Sequence, residues 1–290
     1  MKNKEFKTIA LASSQSSERV LNVAKDCYKI LIQEGVEVQV DQSLKKLLPG
    51  QDTSNKEDIL ENSELVISIG GDGTMLGIAR DFGSKGLPIL GINLGNLGFL
   101  ADLDPADIST RLKEIILGKY KKDTRSFLEA SIKGRDETLI ALNEIVLHSG
   151  NIANMIEFDL FINESYVYTQ RADGLIVGTT TGSTAYSLSA GGPIIHPDLG
   201  LISLIPMFPQ SLTSSPFLVS DLSTVRIVIK NNIESSELNF DGSTSVLLEK
   251  GEEVLISKAK SDLNLVHPQN HDFFDSCRNK LGWGKGIVKG

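Results

Sequence analysis

The chain has 290 residues, 40% of them hydrophobic and 23% charged, enough for two ordinary globular domains with real cores. A formal net charge of −8, with no basic block, argues against a general nucleic-acid binder. No stretch approaches the ~20 apolar residues of a membrane span, and the apolar run after Lys7 is too short for a secretion signal, so a cytoplasmic protein without membrane or nucleic-acid partners is expected.

The first hundred residues alternate strand and helix signals. Thr8 to Ala12 reads as a strand, and Ser17 to Glu34 as a helix ended by Gly35. Val36 to Val40, Leu65 to Ile69 and Pro88 to Ile92 read as further strands, a βαβ pattern that predicts a parallel, Rossmann-like sheet. Pro105 to Leu117 reads as a helix. Beyond it the period shifts toward two. Strands are predicted at Phe127 to Ile132, Thr138 to Leu147, Met155 to Ile162, Tyr166 to Thr169, Leu175 to Val177, Val225 to Ile229 and Val254 to Ile256. Asn163-Glu164-Ser165 and Lys250-Gly251-Glu252 read as hairpin connections, and Asp272 to Leu281 returns to helical spacing. The expected architecture is an α/β domain over 1–104 and a mostly β domain over 105–268. A helix and tail over 269–290 pack back on the first domain.

Gly70-Gly71-Asp72-Gly73-Thr74 follows the buried run Leu65 to Ile69 at the carboxyl end of a predicted parallel strand, where ligands of such sheets bind. Glycines there let N–H groups converge on a phosphate, and the next helix adds its positive end. A carboxylate beside an anion site is unfavourable unless it handles a proton or a metal, which marks Asp72 as chemistry. Asn93 to Leu100 is a second glycine-punctuated loop after a strand and is expected to face the same cleft. The segment Arg171 to Pro197 is dominated by hydroxyls and glycines between Thr179 and Gly192. It reads either as a surface for a polar ligand, with Ser183 or Thr184 capping a short helix, or as tight packing of small residues. Asn143-Glu144 suits sugar hydroxyls but lies inside a predicted strand, whose neighbouring residues face opposite ways; both could serve one ligand only at a strand end or bulge. Asp241-Gly242 reads as a turn. Cys27 and Cys277 match no metal or redox spacing, and the four histidines are scattered, so no metal site is expected.

Gly70 to Thr74, Gly91-Ile92-Asn93, Gly98-Phe99-Leu100, Ala141 to Glu144, Thr181 to Pro193 and Leu281-Gly282-Trp283 together resemble the NAD kinases of bacterial type, in order and spacing, over nearly the whole chain. The glycine-rich turn alone is shared with diacylglycerol-type lipid kinases, and a catalytically inactive nucleotide-binding regulator is a third reading; the Arg171 to Pro197 block separates the first from the second. The resemblance implies ATP-dependent phosphorylation of the adenosine ribose 2′-hydroxyl of NAD. Asp72 would then be the proton acceptor, with Gly73 beside it. Asn143 and Glu144 would hold ribose or adenine groups, and Asp173 with Thr184, Ala185, Tyr186, Ser187, Leu188 and Ser189 would line the dinucleotide pocket. Arg171 matches a basic position of the ATP-using branch. The resemblance further implies Mg²⁺ or another divalent cation with ATP, and a homodimer or homotetramer. Thr180, Leu94 and Ser243 depart from the family's usual proline, polar or basic residue, and glutamine.

Overall fold

A computed structural model describes residues 4–15, 17–45, 52–95, 98–150, 154–230 and 236–283, so Asn96, Leu97 and the tail after Trp283 lie outside the described residues. The chain forms two compact units, one of residues 1–124 with 263–290, the other of residues 125–262. The division differs from the expected one: 105–124 and 263–268 fall in the first unit.

In the first unit β1 (Thr8–Ala12), α1 (Glu18–Gln33), β2 (Glu37–Val40), α2 (Lys56–Asn62), β3 (Leu65–Gly70), α3 (Asp72–Asp81), β4 (Ile89–Asn93) and α4 (Ile108–Ile116) follow in order. The strands pair in parallel in the order β2-β1-β3-β4. Helix α1 starts where the Ser17 hydroxyl accepts from the Val20 N–H at 3.3 Å, and it buries Val20, Val23, Ala24, Cys27 and Leu31 on one face. Gly35 takes φ +70 after its end. Those side chains pack with Ile9, Leu11, Leu65, Ile67, Ile69, Leu112 and Ile115 into one core. Helix α2 was not expected, although its capping box, Asn55 with Asp58, is a sequence signal.

Strand β5 (Tyr120–Ile132) leads into the second unit, followed by β6 (Thr138–Ala141), β7 (Glu144–Ser149), β8 (Ile156–Ile162), β9 (Ser165–Ala172), β10 (Gly174–Gly178), α5 (Tyr186–Ser189), β11 (Leu201–Met207), β12 (Phe217–Ser220), β13 (Val225–Ile229), β14 (Ser236–Phe240) and β15 (Thr244–Leu248). Strand β16 (Glu253–Pro268) and helix α6 (Phe273–Leu281) end the fold. One antiparallel sheet of the second unit has the order β12-β11-β10-β7-β14-β15. In another, β13 lies between β8 and β16, and β9 pairs on β8. Alternate residues of β8, β13 and β14 are buried, and their apolar sides join Ile145, Leu147, Leu175, Val177 and Leu204 in a second core.

Asn163 and Glu164 both have positive φ, 49 and 65, as a two-residue hairpin between β8 and β9 requires. Lys250-Gly251-Glu252 is not a hairpin: β15 ends in one sheet and β16 begins in another. Strand β16 is far longer than the predicted Val254 to Ile256. Its first residues pair with β13, and Leu265 and Val266 pair in parallel with Ile89 and Leu90 of β4. Among the described residues no helix is long and apolar enough to cross a membrane.

Candidate active site

Strand β3 delivers Asp72 to the first position of α3, with Gly71 as N-cap. The positive end of a helix favours a carboxylate there. Gly70, Gly71 and Gly73 do not use the left-handed region. What they provide is room. A Cβ at Gly71 or Gly73 meets nothing within 4 Å, whereas one at Gly70 would run into the Thr74 side chain. Thr74 is buried and its hydroxyl accepts from the Ser14 hydroxyl at 2.9 Å, so it faces the end of β1 rather than open space.

The loop after β4 closes on the same carboxylate. Phe99 N–H donates to Asp72 Oδ2 at 3.0 Å, and the Leu100 and Ala101 N–H groups donate to Oδ1 at 3.2 Å each. Converging amides were expected from the Gly70 turn; the neighbouring loop supplies them, and they hold the protein's own carboxylate. Gly98 admits this approach, because a Cβ there would overlap Asp72 Oδ1. Lys280, near the end of α6, donates from Nζ to Asp72 Oδ2 at 2.9 Å. Burial works to raise the Asp72 carboxyl, but the Lys280 ammonium and the loop amides outweigh it and hold it below the ordinary carboxylate value. Neither Lys280 nor the amides of 99–101 were singled out from the sequence.

In the second unit the predicted strand over Thr138 to Leu147 breaks at Leu142-Asn143, so Glu144 opens β7 at a strand end. Asp241 makes the break. With φ +49, it accepts from the Leu142, Asn143 and Glu144 N–H groups at 2.8, 2.8 and 3.1 Å. The residue read as a mere turn is therefore the clamp that shapes Asn143-Glu144. Burial, and then repulsion from Asp241, push the Glu144 carboxyl up to about 8. Glu144 is 7% exposed and its Oε2 has no hydrogen-bond partner among the described residues. Glu144, Asp173, Tyr186, Asp241, Asn239 and His148 line a cavity of about 570 Å³. Three of the predicted binding residues meet there; Asn143, Arg171, Thr184, Ala185, Ser187, Leu188 and Ser189 are not among its lining residues. Arg171 stands exposed on β9 with its Nε 3.9 Å from Glu157.

The hydroxyl-rich block is largely internal packing. Thr179, Thr180, Thr181, Ser183 and Ser187 are buried. The Thr179 hydroxyl donates to the Leu142 carbonyl at 2.6 Å, and the Ser183 hydroxyl donates to the Thr180 carbonyl at 2.7 Å while accepting from Ile195 N–H. Neither Ser183 nor Thr184 caps the short helix α5; its N-cap is Ala185 without a side-chain bond. Gly182 lies against the Asn143 backbone, where a Cβ would overlap the carbonyl oxygen. The block thus buttresses the Asn143-Glu144 bend, and of its predicted residues from Thr184 to Ser189 Tyr186 alone reaches the cavity.

Two histidines read as scattered come together in the first unit. The ligand-type atoms of Asp102, His267 and His271 lie within 4.8 Å of one another. His271 Nδ1 is 2.6 Å from Asp102 Oδ2 and His267 Nδ1 is 3.0 Å from Oδ1. The rings stack at 3.9 Å and 11°. Nitrogen lone pairs lie in the ring planes, so nearly parallel rings cannot aim both at one ion; the arrangement is one carboxylate shared by two imidazoles. Burial opposes ionisation of Asp102, but its two histidine partners hold the carboxyl down at about 2.

The chain is similar to known proteins along nearly its whole length. The ATP-NAD kinase N-terminal domain matches residues 9–120 and the ATP-NAD kinase C-terminal domain matches residues 142–268. An NAD kinase of Hahella chejuensis is 42% identical, covering 99% of each chain, and one of Photorhabdus laumondii is 40% identical, covering 98% of this chain and 99% of its own. A yeast NADH kinase crystallised with NADH is similar at a TM-score of 0.88 and 26% identity, covering 98% of this chain and 89% of its own. An Archaeoglobus fulgidus NAD kinase in complex with ATP is similar at 0.74 and 28%, covering 95% of this chain and 97% of its own. With both halves matched and relatives alike from end to end, the chain belongs to the ATP-NAD kinase family.

Proposed function

We propose that this enzyme transfers the γ-phosphoryl group of ATP to the 2′-hydroxyl of the adenosine ribose of NAD, with Asp72 as the proton acceptor. The hydroxyl oxygen forms a bond to the γ-phosphorus, the bond from that phosphorus to the β–γ bridging oxygen breaks, ADP leaves, and the hydroxyl proton passes to Asp72. The observation that carries the assignment is a single carboxylate at the start of α3, outside the carboxyl end of β3, held by three backbone amides. That is where open parallel sheets place ligands. Phosphoryl transfer asks the protein mainly to position reactants. An ionised aspartate is too weak to strip a sugar hydroxyl beforehand, so it orients the hydroxyl and takes its proton as the bond to phosphorus forms.

Glu144, Asp173 and Tyr186 are assigned to the dinucleotide, on the support of the cavity they share. Glu144 brings a carboxyl that stays protonated near neutrality and an oxygen without a partner among the described residues, a group able to donate to and accept from ribose hydroxyls. Gly73 leaves open space beside Asp72. Mg²⁺ or another divalent cation enters as part of the ATP substrate and neutralises phosphate charge. A cytoplasmic location and a homodimer or homotetramer complete the reading, the latter checked by light scattering.

The test is Asp72→Asn, assayed for NADP formation from NAD and ATP with Mg²⁺. Turnover is expected to fall by about 10²- to 10⁴-fold, the usual scale of a general base, with NAD still bound. Turnover close to that of the unsubstituted enzyme would remove Asp72 from the role.

A further inference from the structure

Asp72 Oδ2 is within hydrogen-bond distance of both Lys280 Nζ and Phe99 N–H, while Oδ1 takes two amides. A carboxylate offers about four lone-pair positions. All are taken, so a sugar hydroxyl has no place on this carboxylate until one donor leaves. The backbone donors are built into the loop, and Gly98 fits them tightly against the carboxylate. Lys280 is the donor on a long, rotatable side chain.

The ammonium is held from a second side as well. It lies 4.5 Å from the centroid of the Phe99 ring, and Phe99 in turn stands 6.4 Å from Phe273 in the first turn of α6. The other ionic groups of α6 are occupied locally: Arg278 pairs with Asp275, and Asp272 caps the helix by accepting from Asp275 N–H at 2.9 Å. On α3, Asp81 pairs with Lys56 at 2.7 Å. Helix α6 therefore presents Lys280 to the Asp72 carboxylate as a specific partner.

Resting on the assignment of Asp72 above, we infer that Lys280 is a positioning residue that occupies the sugar hydroxyl's place on Asp72 in the free enzyme and is displaced when NAD binds. The ammonium keeps the carboxylate ionised and aimed, and NAD binding includes the loss of this ion pair. The pair is partly exposed, its side chains 24% and 31% accessible, so it weakens NAD by a modest factor.

The test is a double-substitution cycle on the full-length enzyme, read as the equilibrium Kd of NAD by calorimetry. Lys280→Met is expected to tighten NAD by about threefold, the scale of a partly exposed ion pair, and Lys280→Arg to restore the original affinity. In an Asp72→Asn background the Lys280→Met change is expected to have no effect, because the displaced partner is gone. Unchanged or weaker NAD binding in Lys280→Met, or equal tightening in both backgrounds, would overturn the inference. If Lys280→Met does not fold, as judged by thermal unfolding, Lys280→Gln is read by the same criteria. The cycle measures binding alone, so an active Asp72→Asn enzyme would sink the proton-acceptor reading while leaving the binding result to be judged separately.

Discussion

Asp72 and Asp241 meet one physical requirement in two places. Each carboxylate gathers three consecutive backbone N–H groups, of residues 99 to 101 and 142 to 144 respectively, and so fixes a loop that no regular ladder would hold. Glu144 differs, since it is buried without such donors and faces Asp241. Its carboxyl lies at about 8 in the folded protein against 4.5 in the absence of structure. Below pH 4.5 it is protonated in both states and contributes nothing to pH dependence. Between 4.5 and 8 the unfolded chain ionises first, so unfolding is progressively favoured as pH rises. Glu144→Gln removes that penalty. Its stability advantage over the unsubstituted protein is expected to open across this window and to reach the order of a few kcal/mol at pH 8, measured by denaturant unfolding at pH 5 and pH 8. A gap that does not widen with pH would show that Glu144 ionises normally.

At the scale of elements, glycines divide into those packed against the chain and those that leave open space, which the proposed function gives to a ligand. Gly182 belongs to the first kind, packed on the Asn143 backbone, and Gly73 to the second, with open space where its side chain would be. Gly182→Ala is expected to destabilise by roughly 1–3 kcal/mol, the usual result of overpacking, and to raise the KM for NAD by displacing the Asn143-Glu144 bend. Gly73→Ala is expected to leave the thermal midpoint unchanged while also raising that KM. Measuring both quantities on both variants checks the distinction. The same contrast explains what the sequence discloses. The strand, turn and helix around Asp72 are written in contiguous residues, so they are legible. The bend at Asn143 depends on Asp241, 98 residues on, and the partner of Asp72 on α6 is 208 residues on. Neither has a local signature. Strand β16 reads as three residues because Ser257, Lys258, Ser261, Asp262 and Asn264 interrupt its apolar pattern, and its pairing with β13 and β4 overrides that composition. The hydroxyls of Thr179, Ser183 and Ser187 look ligand-directed because a sequence does not reveal which face of a small residue is covered.

At the scale of the whole chain, the first unit is assembled from both ends of the sequence. Val266 sits in its core, and Leu265 and Val266 cover the edge of β4. A chain stopped after Asp262 is expected to lose the cooperative unfolding transition of the first unit and all NADP formation. A chain stopped after Pro268 keeps that edge covered but lacks α6. It is expected to retain the transition at a lower midpoint, as followed by calorimetry. If the first truncation melts like the full chain, the last strand is dispensable to the unit.

Synthesis on the ribosome gives that arrangement a further meaning. Ile89 and Leu90 emerge early, yet the residues that pair with them emerge only after the entire second unit has been made. At ordinary elongation rates this leaves an apolar strand edge uncovered for roughly 9 to 35 s. The nascent polypeptide is therefore most prone to aggregate just when the segment carrying Asp72 is already outside the exit tunnel, and a fragment released before Leu265 lacks the strand that covers this edge.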